Sequence, residues 1–293
     1  MSGSVLQLSS MRSRTLQCMD KLPRLSPATS QLLARLARPQ CSVSDLTSLV
    51  ERDPVLCGQI LRLANSAAFG RARPITTVHH AIAMVGVGTM RKFTLASSFS
   101  NLFTRQRKPN GFSVARFNMH AVAVATLAEL LAEELPMESA QGTFVAGLLH
   151  DIGKVLIAVN LPAEFEHTLE VAAVSGSPML ECERDILGAT HAELSGLAAS
   201  RWELSDAIVW AVTHHHDPDQ AAALERTSRG RVGLSRVIHQ ANAFVNSLGM
   251  TALTVAPPQG APHALEFPVS SFSPVRALKQ FELQLKTLGE AFR

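Results

Sequence analysis

Histidine is the residue whose placement carries chemistry in this chain. The 293 residues hold eleven histidines. Six of them fall at four places in the central region: His120, His150, His191 and the run His214-His215-His216. Asp151, Asp217 and Lys154 stand beside them. The densest phrase is Leu148-Leu149-His150-Asp151-Ile152-Gly153-Lys154. An imidazole and a carboxylate at the end of an apolar helix are costly to desolvate unless a partner compensates both. A divalent metal does so, and imidazole with carboxylate suits zinc, iron, manganese or nickel better than calcium. Adjacent helical residues point about 100° apart. His150 can therefore bind one ion while the two oxygens of Asp151 reach the same ion or a second. Lys154 follows His150 by one helical turn, on the same face if the helix continues. Its ammonium there would meet a phosphate oxygen.

Each place also has a plain reading. A lone His-Asp pair is commonly a hydrogen-bonded structural pair. His214 to His216 suit a helix end, where cations are favoured. His191, after Thr190, suits the exposed start of a helix. The four places gain joint meaning only by converging in space.

The elements that must position these residues are helices. Leu32, Leu33 and Leu36 follow Ser26-Pro27 with the spacing of one buried stripe. Val43 to Val50 repeats the pattern, and Asp53-Pro54 opens a further helix. Short helices are expected near His79 to Val85 and Met90 to Phe103, then a polar loop over Arg105 to Gly111. A longer helix is expected from about Ser113 to Leu135, ended by Pro136, and another over Met137 to His150. Ile152 to Val159, Pro162 to Val174, Pro178 to Leu187, His191 to Trp202, Ser205 to His214 and Val232 to Leu248 follow. Thr251 to Pro274 is proline-rich and irregular, and a final amphipathic helix runs from about Pro274 to Phe292. No β alternation and no internal repeat is found, so the fold class is all-α.

Composition narrows the function. Apolar residues make up 46% of the chain and charged residues 17%, which supports a sizeable core. A net charge of +3 is too small to mark a nucleic-acid or membrane binder. Thirteen Phe, two Trp and no Tyr leave few rings for stacking bases. Basic clusters at Arg71 and Arg73, Arg91-Lys92, Arg105 to Lys108 and Arg226 to Arg231 suit solvated loops better than a nucleic-acid surface. The four cysteines form no Cys-x-x-Cys pair, and Cys41 and Cys57 are expected as small buried apolar groups. Charges interrupt every apolar stretch short of the length that spans a membrane. A cytoplasmic protein with no membrane partner is the resulting expectation.

The order His120, His150-Asp151, His191 and His215-His216 resembles the HD superfamily of metal-dependent phosphohydrolases. The match is closer to its HDOD branch, the HD-related output domain of bacterial signalling proteins. Leu22-Pro23-Arg24-Leu25, Glu51-Arg52-Asp53-Pro54, Leu61-Arg62-Leu63-Ala64-Asn65-Ser66, Phe69-Gly70 and Pro74-Ile75 carry that similarity in the first half. Gly147 to Lys154, His191-Ala192-Glu193 and His215-His216-Asp217-Pro218 carry it in the second. The similarity covers about residues 15 to 250. It implies a multi-helix, HD-like domain with a helical part over about 15–110 and an HD-like part over about 111–250. Residues 1–14 are then a flexible N-terminus, and 251–293 a proline-rich loop with a C-terminal helix.

The resemblance also implies a candidate metal set: His120, His150, Asp151, His191, His215, His216 and Asn242. Asn242 stands where HD enzymes carry a closing Asp. Arg116 stands one turn before His120, where two-metal members often carry Glu. The Gly-Tyr-Pro signature of the cyclic-di-GMP phosphodiesterase branch is absent. Two divalent ions bring four positive charges, and among these positions only Asp151 clearly remains to offset them. The implied function is a bacterial signal-output module with a degenerate HD site, acting through signalling proteins. The alternative is a metal-dependent phosphohydrolase of a nucleotide or cyclic dinucleotide. In that case Asp151 and Lys154 are the catalytic residues and Fe, Mn, Zn or Ni is the cofactor.

Overall fold

In the computed structural model the described residues are 2–25, 27–36, 42–66, 69, 74–103, 109–137, 139–219, 230–253, 263–267, 269 and 272–291. Among them the chain is helical and has no strand, only two isolated bridges, Phe112 with Leu253 and Met137 with Val232. The helices are α1 Ser2–Leu16, α2 Pro27–Leu36, α3 Val43–Val50, α4 Pro54–Ala64, α5 Val78–Val85 and α6 Val87–Asn101. After these come α7 Val114–Glu134, α8 Thr143–Leu149, α9 Ile152–Asn160, α10 Pro162–Ser175 and α11 Met179–Leu187. The last are α12 His191–Arg201, α13 Asp206–Thr213, α14 Leu234–Ser247 and α15 Val275–Ala291. A 3₁₀ turn, Gln17–Lys21, follows α1.

The chain divides into two compact units. One comprises Arg24–Arg105 and Lys279–Arg293. Its helices α2 to α6 pack on one another. Leu46, Ile60, Leu63, Ile82, Met90 and Phe93 are sealed from solvent there. The starts of its helices are written in the sequence. Ser42 and Asp45 cap α3 reciprocally. Asp53 accepts from Val55 N and Leu56 N with Pro54 at the first position of α4.

The other unit comprises Met1–Pro23 and Gln106–Leu278. In it α7 lies against α8 and α14, α12 against α9 and α13, and α10 against α9 and α11. Such close pairing needs small residues. A Cβ on Gly147 of α8 would stand 2.6 Å from Ala125 Cα of α7, and one on Gly153 of α9 would stand 2.0 Å from His191 O.

The break between Arg105 and Gln106 lies near the division expected at about residue 110, with Met1–Pro23 grouped with the later residues and Lys279–Arg293 with the earlier ones. Two local expectations also change. Residues 2–16 form α1, where a flexible arm is expected. No apolar stripe announces this helix. Its anchors are remote in sequence: Thr15 Oγ1 donates to Leu187 O at 2.8 Å, Arg12 donates to Gly188 O, and Arg12 pairs with Glu193 at 3.0 Å. The helix expected over Met137 to His150 begins only at Thr143, because Met137 enters the bridge with Val232.

The apolar stretches also need a correction. Val114–Glu134 (21 residues) and Thr143–Asn160 (18 residues) are long and apolar enough to cross a membrane by length and composition. Within the protein 67% and 78% of their most apolar windows are buried, as in core helices. The second is also broken into α8 and α9 at His150-Asp151.

Cys18 and Cys182 are buried and Cys57 is half-buried, while Cys41 lies outside the described residues. So do Arg71, Arg73, Arg105 to Lys108, Arg226 and Arg229 of the basic clusters, and residues 254–262 of the proline-rich stretch. Lys92 donates to Gln284 at 2.9 Å and Arg231 to Met137 O at 2.9 Å.

Candidate metal centre

The four histidine places do converge, and they converge on Asp151. His120 comes from α7, whose first turn is capped by Ser113. His150 and Asp151 sit at the break between α8 and α9. His191 is the first residue of α12, after the capping Thr190. His215 and His216 follow the end of α13. His150, Asp151 and His215 are 0% exposed, and His120 and His191 are 1% exposed.

The ring nitrogens are oriented by what holds their far sides. His120 Nδ1 lies 2.7 Å from Met250 O, His150 Nδ1 2.7 Å from Gly147 O and His215 Nδ1 2.8 Å from Val212 O. Carbonyl oxygens only accept, so each Nδ1 carries the hydrogen. That turns each Nε2 toward Asp151. His120 and His150 approach Oδ2 at 3.5 and 3.4 Å. His191 and His215 approach Oδ1 at 3.2 and 3.7 Å. His191 Nε2 also meets His216 Nε2 at 2.9 Å. Lys154 Nζ donates to Asp151 Oδ2 at 2.6 Å.

This makes two donor groups that share one carboxylate. Asp151, His191, His215 and His216 form the first, and His120, His150 and Asp151 the second. Within each group one ligand atom per residue lies within 4.8 Å of the others. Of the two arrangements the sequence leaves open for the oxygens of Asp151, the donors fall into the one that serves two places.

Burial pushes the Asp151 carboxyl up, but the charges of His150 and Lys154 overcome it and hold the group well below the usual carboxylate range. Burial holds His215 well below the ordinary imidazole value and lowers His120 also. His216 is driven down to about 2 by burial and by His191 beside it. His191 goes the other way: burial lowers it, Glu183 raises it more, and the net shift is upward.

Two buried atoms of the centre have no hydrogen-bond partner, Asp151 Oδ1 and His215 Nε2. The approach of His191 to Oδ1 is not aligned as a hydrogen bond. Bare lone pairs on a neutral imidazole and on a carboxylate repel, and a cation between them relieves that cost. The donor set therefore fits a divalent metal of the iron, manganese, zinc or nickel class.

Glu183 is the residue that sequence reasoning missed. It lies on α11, 1% exposed, and its Oε2 accepts from His191 Nδ1 at 2.6 Å and from His191 N at 2.8 Å. A carboxylate behind a ligating histidine fixes the ring and strengthens its donor nitrogen. Its only sequence signal is the spacing of eight residues before His191. The run Glu181-Cys182-Glu183-Arg184-Asp185 otherwise suits a solvated face.

Two residues marked by the resemblance hold other partners. Arg116 is exposed and donates to Thr251 O at 3.3 Å, so its charge is not turned into the centre. Asn242 is buried on α14, where its Oδ1 accepts from Asn246 at 2.8 Å. That oxygen is engaged within its own helix.

Comparison with known proteins agrees with this architecture. The chain is 22% identical over 204 residues to an uncharacterised protein of Treponema pallidum, covering 68% of this chain. It spans only 38% of that curated relative's length. A candidate phosphohydrolase of Shewanella amazonensis SB2B superposes with a TM-score of 0.69 at 23% identity, covering 96% of this chain and 98% of that one. A candidate signal transduction protein of Marinobacter aquaeolei VT8 superposes with a TM-score of 0.73 at 20% identity, covering 99% of this chain and 64% of that one. At these identities the superpositions establish the helical fold. The family model of the HDOD domain matches residues 22–218, a span that takes in His120, His150, Asp151, His191, His215 and His216, and the chain belongs to the HDOD family.

Proposed function

We propose that this chain is an output module of bacterial signalling, acting on partner proteins, with a metal-holding centre in its core that does not turn over phosphoesters. The observation that carries this reading is the burial of the donors. Asp151 and four of the five histidines around it are at most 1% exposed. A small cation is matched to such a site, whereas a phosphoester must bring its phosphorus and leaving group to the ion. A divalent ion held by Asp151, His191, His215 and His216 would neutralise Asp151 and tie the α8–α9 break, α12 and the segment after α13 to one point. The protein's own residues do the rest: carbonyl oxygens and Glu183 orient the rings, and Lys154 balances Asp151. The likeness to a candidate signal transduction protein supports the signalling role.

A phosphohydrolase is the second reading. It is favoured by Lys154, 13% exposed, and by half-buried His216, which are the accessible members of the centre. There a metal would act as Lewis acid.

One experiment separates the two. Protein loaded with Mn²⁺, Fe²⁺ or Zn²⁺ is assayed on nucleotides and cyclic dinucleotides. No turnover is expected. Hydrolysis abolished by His150→Ala with Asp151→Ala would overturn the proposal in favour of the second reading.

A further inference from the structure

We propose that Lys154 holds the place of a second cation, so that the centre takes one divalent ion and not two. The inference rests on the metal reading above and concerns how that site is filled. Asp151 offers one oxygen to each donor group, Oδ1 to His191 and His215 and Oδ2 to His120 and His150. The two sides are not equivalent. On the Oδ1 side there are three imidazoles and a carboxylate oxygen without a hydrogen bond. One of those imidazoles is backed by the buried anion of Glu183 at 2.6 Å. On the Oδ2 side there are two imidazoles, both backed by neutral carbonyls. There the carboxylate oxygen already carries the Lys154 ammonium at 2.6 Å.

Charge points the same way. Two divalent ions would bring four positive charges beside the lysine, with Asp151 and Glu183 as the carboxylates in contact with the imidazoles. In a buried site that excess is severe. One divalent ion on the Oδ1 side and the ammonium on the Oδ2 side leave both oxygens of Asp151 matched to a cation. Lys154 reaches this position from one turn along the same helical segment, through a stem that is mostly buried, so its charge is delivered as a fixed part of the fold.

The test is metal stoichiometry. Full-length protein is loaded with Mn²⁺ or Zn²⁺, freed of excess ion and measured by elemental mass spectrometry against protein concentration. Wild type is expected to hold one ion per chain. Lys154→Met, which keeps the stem and removes the charge, is expected to double this to two. Lys154→Arg, which restores a cation, is expected to return it to one. With Mn²⁺, electron paramagnetic resonance should change from an isolated to a magnetically coupled signal only in the Met variant. Lys154→Gln replaces the Met variant if circular dichroism shows that the latter does not fold. Two ions in wild type, or one ion in a folded variant lacking the charge, would overturn the inference. Uptake of no ion by any of these proteins would remove the metal reading itself, and this inference with it.

Discussion

Asp151 Oδ1 and His215 Nε2 face each other at 3.7 Å, both sealed from solvent and neither holding a hydrogen bond. His215 donates through Nδ1 to Val212 O, and its pKa is held far down by burial, so its inner nitrogen is an acceptor at neutral pH. The folded chain thus stores a repulsion that a cation removes. Adding Zn²⁺ or Mn²⁺ to chelator-treated protein should raise its melting temperature. At a free ion concentration of about 100 Kd the linkage is worth roughly 2.7 kcal/mol. Asp151→Asn, melted with and without the ion, should lose that rise. An equal rise in the Asn variant would place the ion elsewhere.

Glu183 acts through His191. Glu183→Gln keeps an acceptor for the His191 ring but removes the charge, and should weaken metal affinity about 10- to 100-fold. Chelator competition reads this directly. Glu183→Ala should in addition cost about 1–3 kcal/mol in the metal-free protein, because the buried N–H groups of His191 lose their acceptor. Thermal melts separate the two effects. A Gln variant with wild-type affinity would reduce Glu183 to a packing role.

Acid should destabilise the metal-free protein below about pH 6.5. His120, His215 and His216 have folded pKa values below that of the unfolded chain. As pH falls through about 6.5, the unfolded state takes up protons that these three refuse in the fold, and stability declines. His191, raised by Glu183, works in the opposite sense. Its contribution is complete below the unfolded value and is lost as pH rises through the raised folded value. Asp151 contributes above the unfolded carboxylate value, and its share is lost only as pH falls through a lower folded one. Three lowered groups outweigh one raised group, so the melting temperature should fall from pH 7 to pH 5. A rise over that interval would mean that His191 dominates.

Gly153→Ala is expected to be severe for a residue so small. The added methyl group would meet His191 O, while Gly153 N already donates to Ser195 Oγ at 2.9 Å. Neither backbone can yield without moving α9 from α12. A cost of about 3 kcal/mol is expected, together with loss of metal uptake because His191 is displaced. Urea unfolding measures the first and elemental analysis the second. A change below about 0.5 kcal/mol would show that the two helices separate easily.

The helices were legible where their signals are local. Asp53-Pro54 marks the start of α4, and the apolar stretch before Pro136 ends α7 within a residue of the expected place. The histidines were legible as a set because their residue type is rare and chemical. What escaped was carried by distant contacts. The polar, serine-rich opening of the chain gives no stripe, and its helix is anchored near Leu187-Gly188. Glu183 hides in a charged run whose one buried charged side chain only the packing of α11 reveals. The division of the donors between the two oxygens of Asp151 depends on which carbonyl holds each ring, and Met250 lies 130 residues from His120.

The interleaved order of the two units has a consequence for synthesis on the ribosome. One unit begins with Met1–Pro23 and resumes only at Gln106, while the other opens at Arg24 and is completed by Lys279–Arg293. Neither can finish as a simple N-to-C succession. The segment before Pro23 must wait through the emergence of some eighty intervening residues. His215 must then emerge before the ring of imidazoles around Asp151 is complete. Long-range closure of this kind slows folding relative to a helical bundle of neighbouring hairpins. The nascent chain would therefore carry His120 through 130 further residues before Met250, whose carbonyl holds its ring, is made.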